Sequence, residues 1–281
     1  MEVIVRGIVL KTTDVGEYDK IITVLTEYGK LSFRAFGIRL MKNSNASACM
    51  EFAYSEFELS VKNGMCRLKK AQLEKTVIRP GKSLSALSLA FYIAEVCLFC
   101  ATDFPMSKDE TRIHDEGLFS CAANALYLIS KEDRDIIVLK SVFELRLMAV
   151  LGFQPDLPYC SVCGKNCLEE EGCVSVHLVN GNIKCAHCNA DSFLKQSHAP
   201  AEPHYPQEAP EENTMMISPD TVALIMRTVA NPDSKAYAVR LMGELYKEFS
   251  QFSEKYLQAQ LERSFKSLNY FKDIYSYETN V

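Results

Sequence analysis

Four cysteines with regular spacing are the residues best suited to chemistry in this 281-residue chain. They form two CxxC pairs, Cys160-Ser-Val-Cys163 and Cys185-Ala-His-Cys188, separated by 21 residues. Two residues between thiolates allow a tight turn to direct both sulfurs at one point, and two such turns supply a tetrahedral set for one zinc ion. The spacing therefore predicts a single structural Zn²⁺ site without an open coordination position.

Neighbouring side chains leave the ligand set open. Cys167, Cys173, His177 and His187 are spare donors, and Cys167 or a histidine could replace one of the four cysteines. A metal-free pair of reduced turns is the simpler alternative. The triplet His114-Asp115-Glu116 followed by a CxxC resembles a zinc deaminase signature, but Pro158 stands two residues before Cys160 instead of one. That reading also leaves the second CxxC unexplained, so a zinc enzyme is the third-ranked hypothesis.

The other cysteines and the composition indicate an intracellular globular protein. Eleven cysteines in a long chain without a recognisable export signal favour reduced thiols over disulfides. Cys97, Cys100 and Cys121 lie at helical positions among apolar residues, where we expect core packing. The most apolar stretch, 84–101, is interrupted by polar residues and is interpreted as a core helix, so no membrane association is expected.

Two kinds of periodicity divide the chain. Period-two runs of apolar residues, with turns at Tyr28-Gly29 and Asn63-Gly64, predict five short strands in the first 80 residues. Five strands with one longer connection suit an OB-type barrel, and a small sandwich is the alternative. Helical spacing follows in 84–101, 115–130, 134–151 and about 235–260, with a helix stop at Gly152 and a start at Ser218-Pro219. The fold class is thus α+β, with a barrel, a helical domain and an inserted four-cysteine module.

We expect these domain bounds: 1–80 for the barrel, 81–157 for the first helical part, 158–192 for the zinc module, 193–217 for a linker and 218–281 for the last helical part. Charge follows the same division. Residues 1–81 hold 13 Lys/Arg against 9 Asp/Glu, whereas the rest holds 18 against 27, within a net charge of −5. A cationic surface for nucleic acid is therefore expected only in the first third.

The strongest candidates for nucleic-acid contact lie on the third strand and its following loop. Arg34, Arg39 and Lys42 alternate there with Phe33 and Phe36. Cations beside aromatic rings can hold phosphates while bases stack, as in OB-type barrels that bind single strands. A solvated strand edge protected by cations is an equally good interpretation of the same residues.

Several separate segments resemble the RecO family of bacterial recombination mediators. They are RGIVLKTTDVGEYDKIITVLTEYGKLSFRAFGIR at the N-terminus, FELRLMAVLGFQPDLPYCSVCG before the first CxxC, and RSFKSLNYF near the C-terminus. The resemblance covers nearly the whole chain. It implies an OB barrel, a helical domain and a zinc module whose ligands fall at Cys160, Cys163, Cys185 and Cys188.

The resemblance also implies a function without catalysis. Such a protein binds single- and double-stranded DNA, anneals complementary strands, works with RecR, and recognises the C-terminal tail of the single-stranded-DNA-binding protein so that RecA can load. It implies a bacterial cytoplasmic location with the nucleoid. Arg146, on the helix before the zinc module, is a candidate contact for that acidic tail, although a snorkelling arginine is the plainer interpretation. The basic loop FGIRLMKNSN is sparse for the family, and a protein-interaction scaffold with incidental DNA contact is the alternative function.

Overall fold

The computed structural model describes residues 2–62, 64–78, 83–105, 116–190, 213–231 and 233–279. They form two compact units by their internal contacts. Met1–Ile136 with Phe265–Val281 make up the first, and Ile137–Ser264 the second. The predicted domain bounds stay a prediction, but the grouping of residues after 264 with the N-terminal unit was not expected from the sequence.

A closed five-stranded barrel occupies the N-terminal part. Its strands are β1 (Glu2–Val15), β2 (Asp19–Thr26), β3 (Gly29–Ala35), β4 (Ala53–Lys62) and β5 (Met65–Thr76), in the order β1-β2-β3-β5-β4. Four of the pairings are antiparallel, and β3 meets β5 in parallel at Arg34 and Arg67. A 3₁₀ turn, Ser47–Cys49, lies in the long connection between β3 and β4. The predicted OB-type barrel is therefore confirmed.

Alternating apolar residues fill the barrel, as the period of two predicts. Buried side chains from every strand form one core, in which the rings of Phe33 and Phe57 lie 5.0 Å apart. The predicted turn at Gly29 has a specific cause. Gly29 has a φ of +110°, and a Cβ there would lie 2.4 Å from the carbonyl oxygen of Thr102, so only glycine fits.

Among its described residues, three helices complete the N-terminal unit: α1 (Leu84–Cys100), α2 (Glu116–Ile129) and, from the other end of the chain, the helix Lys266–Thr279. That last helix and α1 cap each other. Glu278 accepts hydrogen bonds from the backbone N–H groups of Leu84 and Ser85, and Glu95 accepts one from the N–H of Ser267 at 3.1 Å. Each carboxylate thus satisfies free N–H groups at a helix start. Of the three helical cysteines, Cys97 and Cys121 are buried and Cys100 is half-buried.

The second unit combines helices with a small sheet. Its elements are α3 (Ile136–Val150), the 3₁₀ turn Cys167–Glu169, β6 (Val174–His177), β7 (Ile183–Lys184), β8 (Thr214–Ile217), α4 (Pro219–Ala230), α5 (Asp233–Ala236) and α6 (Gly243–Gln260); the C-terminal helix of the first unit is α7. Strand β6 pairs antiparallel with both β7 and β8.

One sequence prediction for this unit needs correction, and most of another falls on residues outside the described part of the chain. The linker expected over 193–217 includes β8, while 193–212 lie outside the described residues. The helix expected from about 235 begins at Gly243, because extended backbone at Met242 and a φ of +66° at Gly243 interrupt the helical ladder. The start at Ser218-Pro219 is confirmed, since the Ser218 hydroxyl accepts from the N–H of Thr221. Gly152 follows α3 with a φ of +82°, as a helix stop does.

A buried ion network joins α3 to α6. The Lys140 ammonium lies 2.9 Å from the Glu144 carboxylate and 3.1 Å from that of Glu254, and the Ser253 hydroxyl donates to Glu144. Lys140 and Glu144 are almost fully buried. In the part of the chain that the structure describes, every helix is too short or too polar to cross a membrane.

This network makes Lys140→Met a strongly destabilising substitution. It leaves the Glu144 carboxylate buried without its cation, so we expect a loss of about 3–5 kcal/mol in the free energy of unfolding. Urea denaturation followed by circular dichroism measures it. Lys247→Met, at an exposed site on α6, is the control and should change stability by less than about 0.5 kcal/mol. A loss at Lys140 no larger than the control's would contradict the assigned role.

Candidate functional site

The four spaced cysteines meet at one point in the second unit. The sulfur atoms of Cys160, Cys163, Cys185 and Cys188 all lie within 4.8 Å of one another, and those of Cys163 and Cys185 are 3.7 Å apart. A tetrahedral zinc ion with Zn–S bonds of about 2.3 Å requires sulfurs roughly 3.8 Å apart. The cluster thus has the dimensions of a metal site.

We call the turn around each CxxC pair a knuckle. Local backbone hydrogen bonds form the first knuckle, around Cys160 and Cys163. The N–H of Cys160 donates to the carbonyl of Lys165, and the N–H of Gly164 donates to the carbonyl of Cys160, each at 2.9 Å. Gly164 has a φ of +74°, the left-handed conformation that closes such a turn. The peptide bond between Leu157 and Pro158, just before the knuckle, is cis.

The second knuckle follows β7 directly, so the small sheet brings it to the first. The N–H of Ser161 donates to the carbonyl of Ile183 at 2.8 Å, which joins the first knuckle to β7. The N–H of Cys188 points at the sulfur of Cys185, 3.5 Å away. Sulfur accepting backbone N–H groups is a common feature of thiolate ligands, because the N–H dipoles stabilise negative charge.

The electrostatics of the cluster favour at least one thiolate. Burial raises the pKa of Cys160, but backbone N–H groups, led by that of Cys185, outweigh it and lower the pKa to about 6. Hydrogen bonds to the other cysteines, Cys163 first, raise the pKa of Cys188. A cation among the four sulfurs would therefore favour the thiolate form of each of them. The donor set and its spacing fit a soft divalent metal ion.

The spare donors lie outside this set. Cys167 is fully buried, and its sulfur faces the carbonyl of Lys165 at 3.9 Å instead of joining the four. Burial raises the pKa of Cys167 to about 11. His177 accepts the N–H of Asn180 through Nδ1. Cys173 and His187 are exposed. The geometry favours the four cysteines that the spacing selects.

Helix α6 holds the module in place. The Tyr256 hydroxyl donates to the carbonyl of Phe153, and the Gln260 amide donates to the carbonyls of Leu178 and Val179. Gly181, at the β6–β7 turn, lies so close that an added Cβ would be 2.8 Å from the Tyr256 hydroxyl. The cluster is thus attached to the helical body through one helix face.

The barrel carries the three predicted DNA contacts, and two of them are paired with carboxylates. Arg34 donates to Asp19 at 2.8 Å and Arg39 lies 3.3 Å from Asp14. Lys42 is exposed and has no ion pair among the described residues. Arg34 lies on β3, and Arg39 and Lys42 lie in the loop that follows it. Their role in DNA contact stays a prediction.

Asp19 organises this surface. Its carboxylate accepts the N–H of Gly37 at 2.8 Å in addition to the Arg34 guanidinium. Those two donors, the Gly37 N–H first, hold the pKa of Asp19 below its usual value. The loop after β3 is therefore tied to the start of β2, which is a link that sequence reasoning missed.

Phe36 and Arg67 complete an exposed stack. The Arg34 guanidinium lies 4.8 Å from the Phe36 ring centroid, and that of Arg67 lies 5.5 Å from it. Arg67 comes from β5 and reaches this position because β5 pairs with β3 at the barrel closure. No local spacing could have selected it. Two cations on an aromatic ring that is 49% exposed offer both phosphate contact and base stacking.

Arg146 lies within the second unit and is half-buried. Its guanidinium donates to the carbonyl of Val229 at 2.6 Å, near the end of α4. This contact stabilises a helix C-terminus, as cations commonly do. Its contact with a partner tail stays a prediction. His114 and Asp115 of the deaminase-like triplet lie outside the described residues.

Comparisons with known proteins identify the same family along nearly the whole chain. The family described as "Recombination protein O N terminal" matches residues 1–77, and "Recombination protein O C terminal" matches residues 82–193. The chain is 26% identical to the DNA repair protein RecO of Symbiobacterium thermophilum, with 97% of each chain covered. It is 27% identical to the DNA repair protein RecO of Desulforamulus reducens over 96% of this chain and 93% of that protein.

The sulfur cluster predicts one zinc ion per chain in protein purified without chelator. Cys185→Ser should lose most of the metal, because it removes a buried ligand. Cys167→Ser and Cys173→Ser should keep it, and they serve as matched controls. Inductively coupled plasma mass spectrometry gives the stoichiometry. Metal lost from Cys167→Ser but kept by Cys185→Ser would overturn the ligand set.

Proposed function

Because this chain belongs to the RecO family of DNA repair proteins, we propose that it binds DNA and anneals complementary strands as a recombination mediator without catalysing a reaction. In this proposal it works with RecR and recognises the tail of the single-stranded-DNA-binding protein, so that RecA loads onto single strands. It acts on the chromosome, in the bacterial cytoplasm. The observation that carries the proposal is the Arg34–Phe36–Arg67 stack.

Annealing has modest chemical requirements that this surface meets. Two strands repel through their phosphates, and a cationic protein surface lowers that repulsion. An exposed ring can hold an unpaired base while its partner approaches. No nucleophile or general base is needed for either step, which supports a role outside catalysis.

The carboxylates paired with Arg34 and Arg39 affect how DNA binds. Asp19 and Asp14 hold the guanidiniums in position, so a phosphate must displace or share them. The guanidiniums of Arg34 and Arg67 also lie over the Phe36 ring. We therefore expect moderate affinity with strong dependence on salt, which suits a protein that must release both strands after pairing.

The cysteine cluster serves this function indirectly. We propose that Cys160, Cys163, Cys185 and Cys188 hold Zn²⁺. The ion supplies a tetrahedral cross-link between the two knuckles, and its closed sulfur set leaves no position for substrate. Its role is to keep the small sheet and the loops bound by α6 folded.

A protein-interaction scaffold is the alternative. The acidic excess after residue 81 favours it, because such a surface repels phosphates and can meet basic partner surfaces. DNA binding that does not change with salt concentration would support this alternative. A nucleoside turnover test would settle the third hypothesis, a zinc-dependent enzyme.

The DNA-binding proposal predicts that Arg34→Gln with Arg67→Gln weakens binding to a fluorescent single-stranded oligonucleotide. Two lost phosphate contacts should make the slope of log K against log salt about 1.4 less negative. Arg227→Gln with Arg240→Gln removes two exposed arginines from the other unit and is the matched control. Equal slopes for the two variants would contradict the proposal.

Annealing itself provides a separate prediction. The protein should pair complementary oligonucleotides coated with the cognate single-stranded-DNA-binding protein, and much less so when that protein lacks its tail. Phe36→Leu should slow annealing, since stacking on an aromatic ring contributes about 1–3 kcal/mol per base. Fluorescence energy transfer between labelled strands follows the rate. If the protein does not accelerate the annealing of either bare or coated strands, the mediator role is contradicted.

A further inference from the structure

A second cationic site lies on the barrel unit, around Tyr127 near the end of α2. The ammonium of Lys75, from β5, lies 4.7 Å from the Tyr127 ring centroid, and that of Lys131, just after α2, lies 4.9 Å from it. Tyr127 is 40% exposed, and both lysines are exposed. We call these three residues the lysine–tyrosine site.

The lysine–tyrosine site has positive charge that is not neutralised by salt bridges. Among the described residues, neither Lys75 nor Lys131 has a carboxylate at ion-pair distance, in contrast to Arg34 and Arg39. The Tyr127 ring attracts both cations, and the two ammonium groups repel each other. An anion bound at this point would relieve that repulsion.

A cavity lies next to this site. Tyr54 on β4 is the cross-strand partner of Lys75, so their side chains leave the barrel on the same face. Tyr54 lines a cavity of about 260 Å³. The rest of the lining combines aromatic rings with polar groups: Tyr28, Phe104, Phe119, Ile4, Val5, Arg6, Thr26 and Glu27.

The size and lining of the cavity suit one planar ring. Its volume is slightly below the roughly 300–1,000 Å³ of pockets that hold whole small molecules. The Tyr54 and Phe119 rings lie 6.4 Å apart, and the Tyr28 and Phe104 rings 6.2 Å apart, so four ring faces or edges surround it. Phe104 is buried and the other three rings are half-buried. Aromatic rings stack nucleobases without regard to sequence.

We propose that the lysine–tyrosine site and this cavity form a second contact for single-stranded nucleic acid. Lys75 and Lys131 bind a phosphate, and a neighbouring base enters the cavity beside Tyr54. The inference rests on the proposed function, because it assumes that the chain binds DNA. It adds a site on the β4–β5 and α2 side of the first unit, carried by residues other than those on β3.

The carboxylates around the cavity favour an uncharged base inside it over any anionic group. Arg6 is held by Glu56 and Glu74 at 2.9 and 3.1 Å, and Glu27 is a further carboxylate in the lining. These carboxylates repel acidic side chains and phosphates alike, so the proposal places the phosphate at Lys75 and Lys131 and only the base in the cavity. A glutamate can instead accept a hydrogen bond from the exocyclic amine of a base.

The test uses the full-length protein and measures the salt dependence of binding to a fluorescent oligonucleotide. Lys75→Gln with Lys131→Gln should make the slope about 1.4 less negative and lower the affinity on the order of 20-fold at 0.1 M salt. Lys247→Gln with Lys255→Gln removes two exposed lysines from α6 and is the matched control, expected to keep the wild-type slope. Thermal unfolding checks that both variants fold.

The cavity is tested with an oligonucleotide that contains 2-aminopurine. Stacking on aromatic rings should quench its fluorescence on binding to the wild type. Phe119→Leu keeps an apolar side chain but removes one ring, and it should reduce that quenching at saturating protein. Quenching that is unchanged in this variant would overturn the base-binding part of the inference.

The outcomes separate this inference from the proposed function. A Lys75/Lys131 variant with the control's slope overturns the second site, while sensitivity to Arg34 and Arg67 would still support DNA binding. If the Lys75/Lys131 variant loses binding to a polyglutamate peptide but still binds the oligonucleotide like the wild type, the site belongs to a protein partner. That result would also overturn the proposed nucleic-acid contact. Failure of the wild type to bind any oligonucleotide would overturn both.

Discussion

Closure of the five-stranded barrel is the constraint on which the functional surfaces of the first unit depend. Strand β5 pairs with β4 along its length and meets β3 at the pair of Arg34 and Arg67. Closure removes free sheet edges, which would otherwise pair with other chains. It also places cations from two distant strands on the same exposed ring, Phe36. A stacking surface is thus a direct product of the topology.

The second consequence of the barrel concerns charge. The chain is acidic overall, yet its proposed partner is a polyanion. The cations have two kinds of neighbour. Arg34 and Arg39 lie against carboxylates, whereas Lys75 and Lys131 lie over the Tyr127 ring. Carboxylates order a guanidinium but compete with phosphate. An aromatic ring orders an ammonium and leaves its charge available.

In the second unit, helix α6 has the corresponding role. It carries Ser253 and Glu254 to the buried network of Lys140, and Tyr256 and Gln260 to the loops of the cysteine module. Buried ionic groups restrict the arrangements that a core can adopt, since each misplaced charge is costly. The sulfur cluster is thus connected to the helical body by directional contacts as well as by the chain itself.

Much of this architecture could be predicted from the sequence because it depends on short-range geometry. A period of two sets the faces of a strand, and the CxxC spacing sets how a turn directs two sulfurs. The barrel strands, α1 to α3, the start of α4 and the meeting of the four cysteines follow from such patterns. The late start of α6 did not, because it depends on backbone at Met242 and Gly243 that helical periodicity does not report.

Only the tertiary structure decided which distant residues act together. Arg67 joins Phe36 through barrel closure, Asp19 ties the loop after β3 through Gly37, and α7 returns to α1 through reciprocal caps. The physical reason is the same in each case. Spacing along a chain constrains neighbours within a few residues, whereas contacts between distant segments are chosen by the burial of whole faces. The sequence by itself therefore determined the elements and the metal-binding knuckles, and the packing of those elements determined the surfaces.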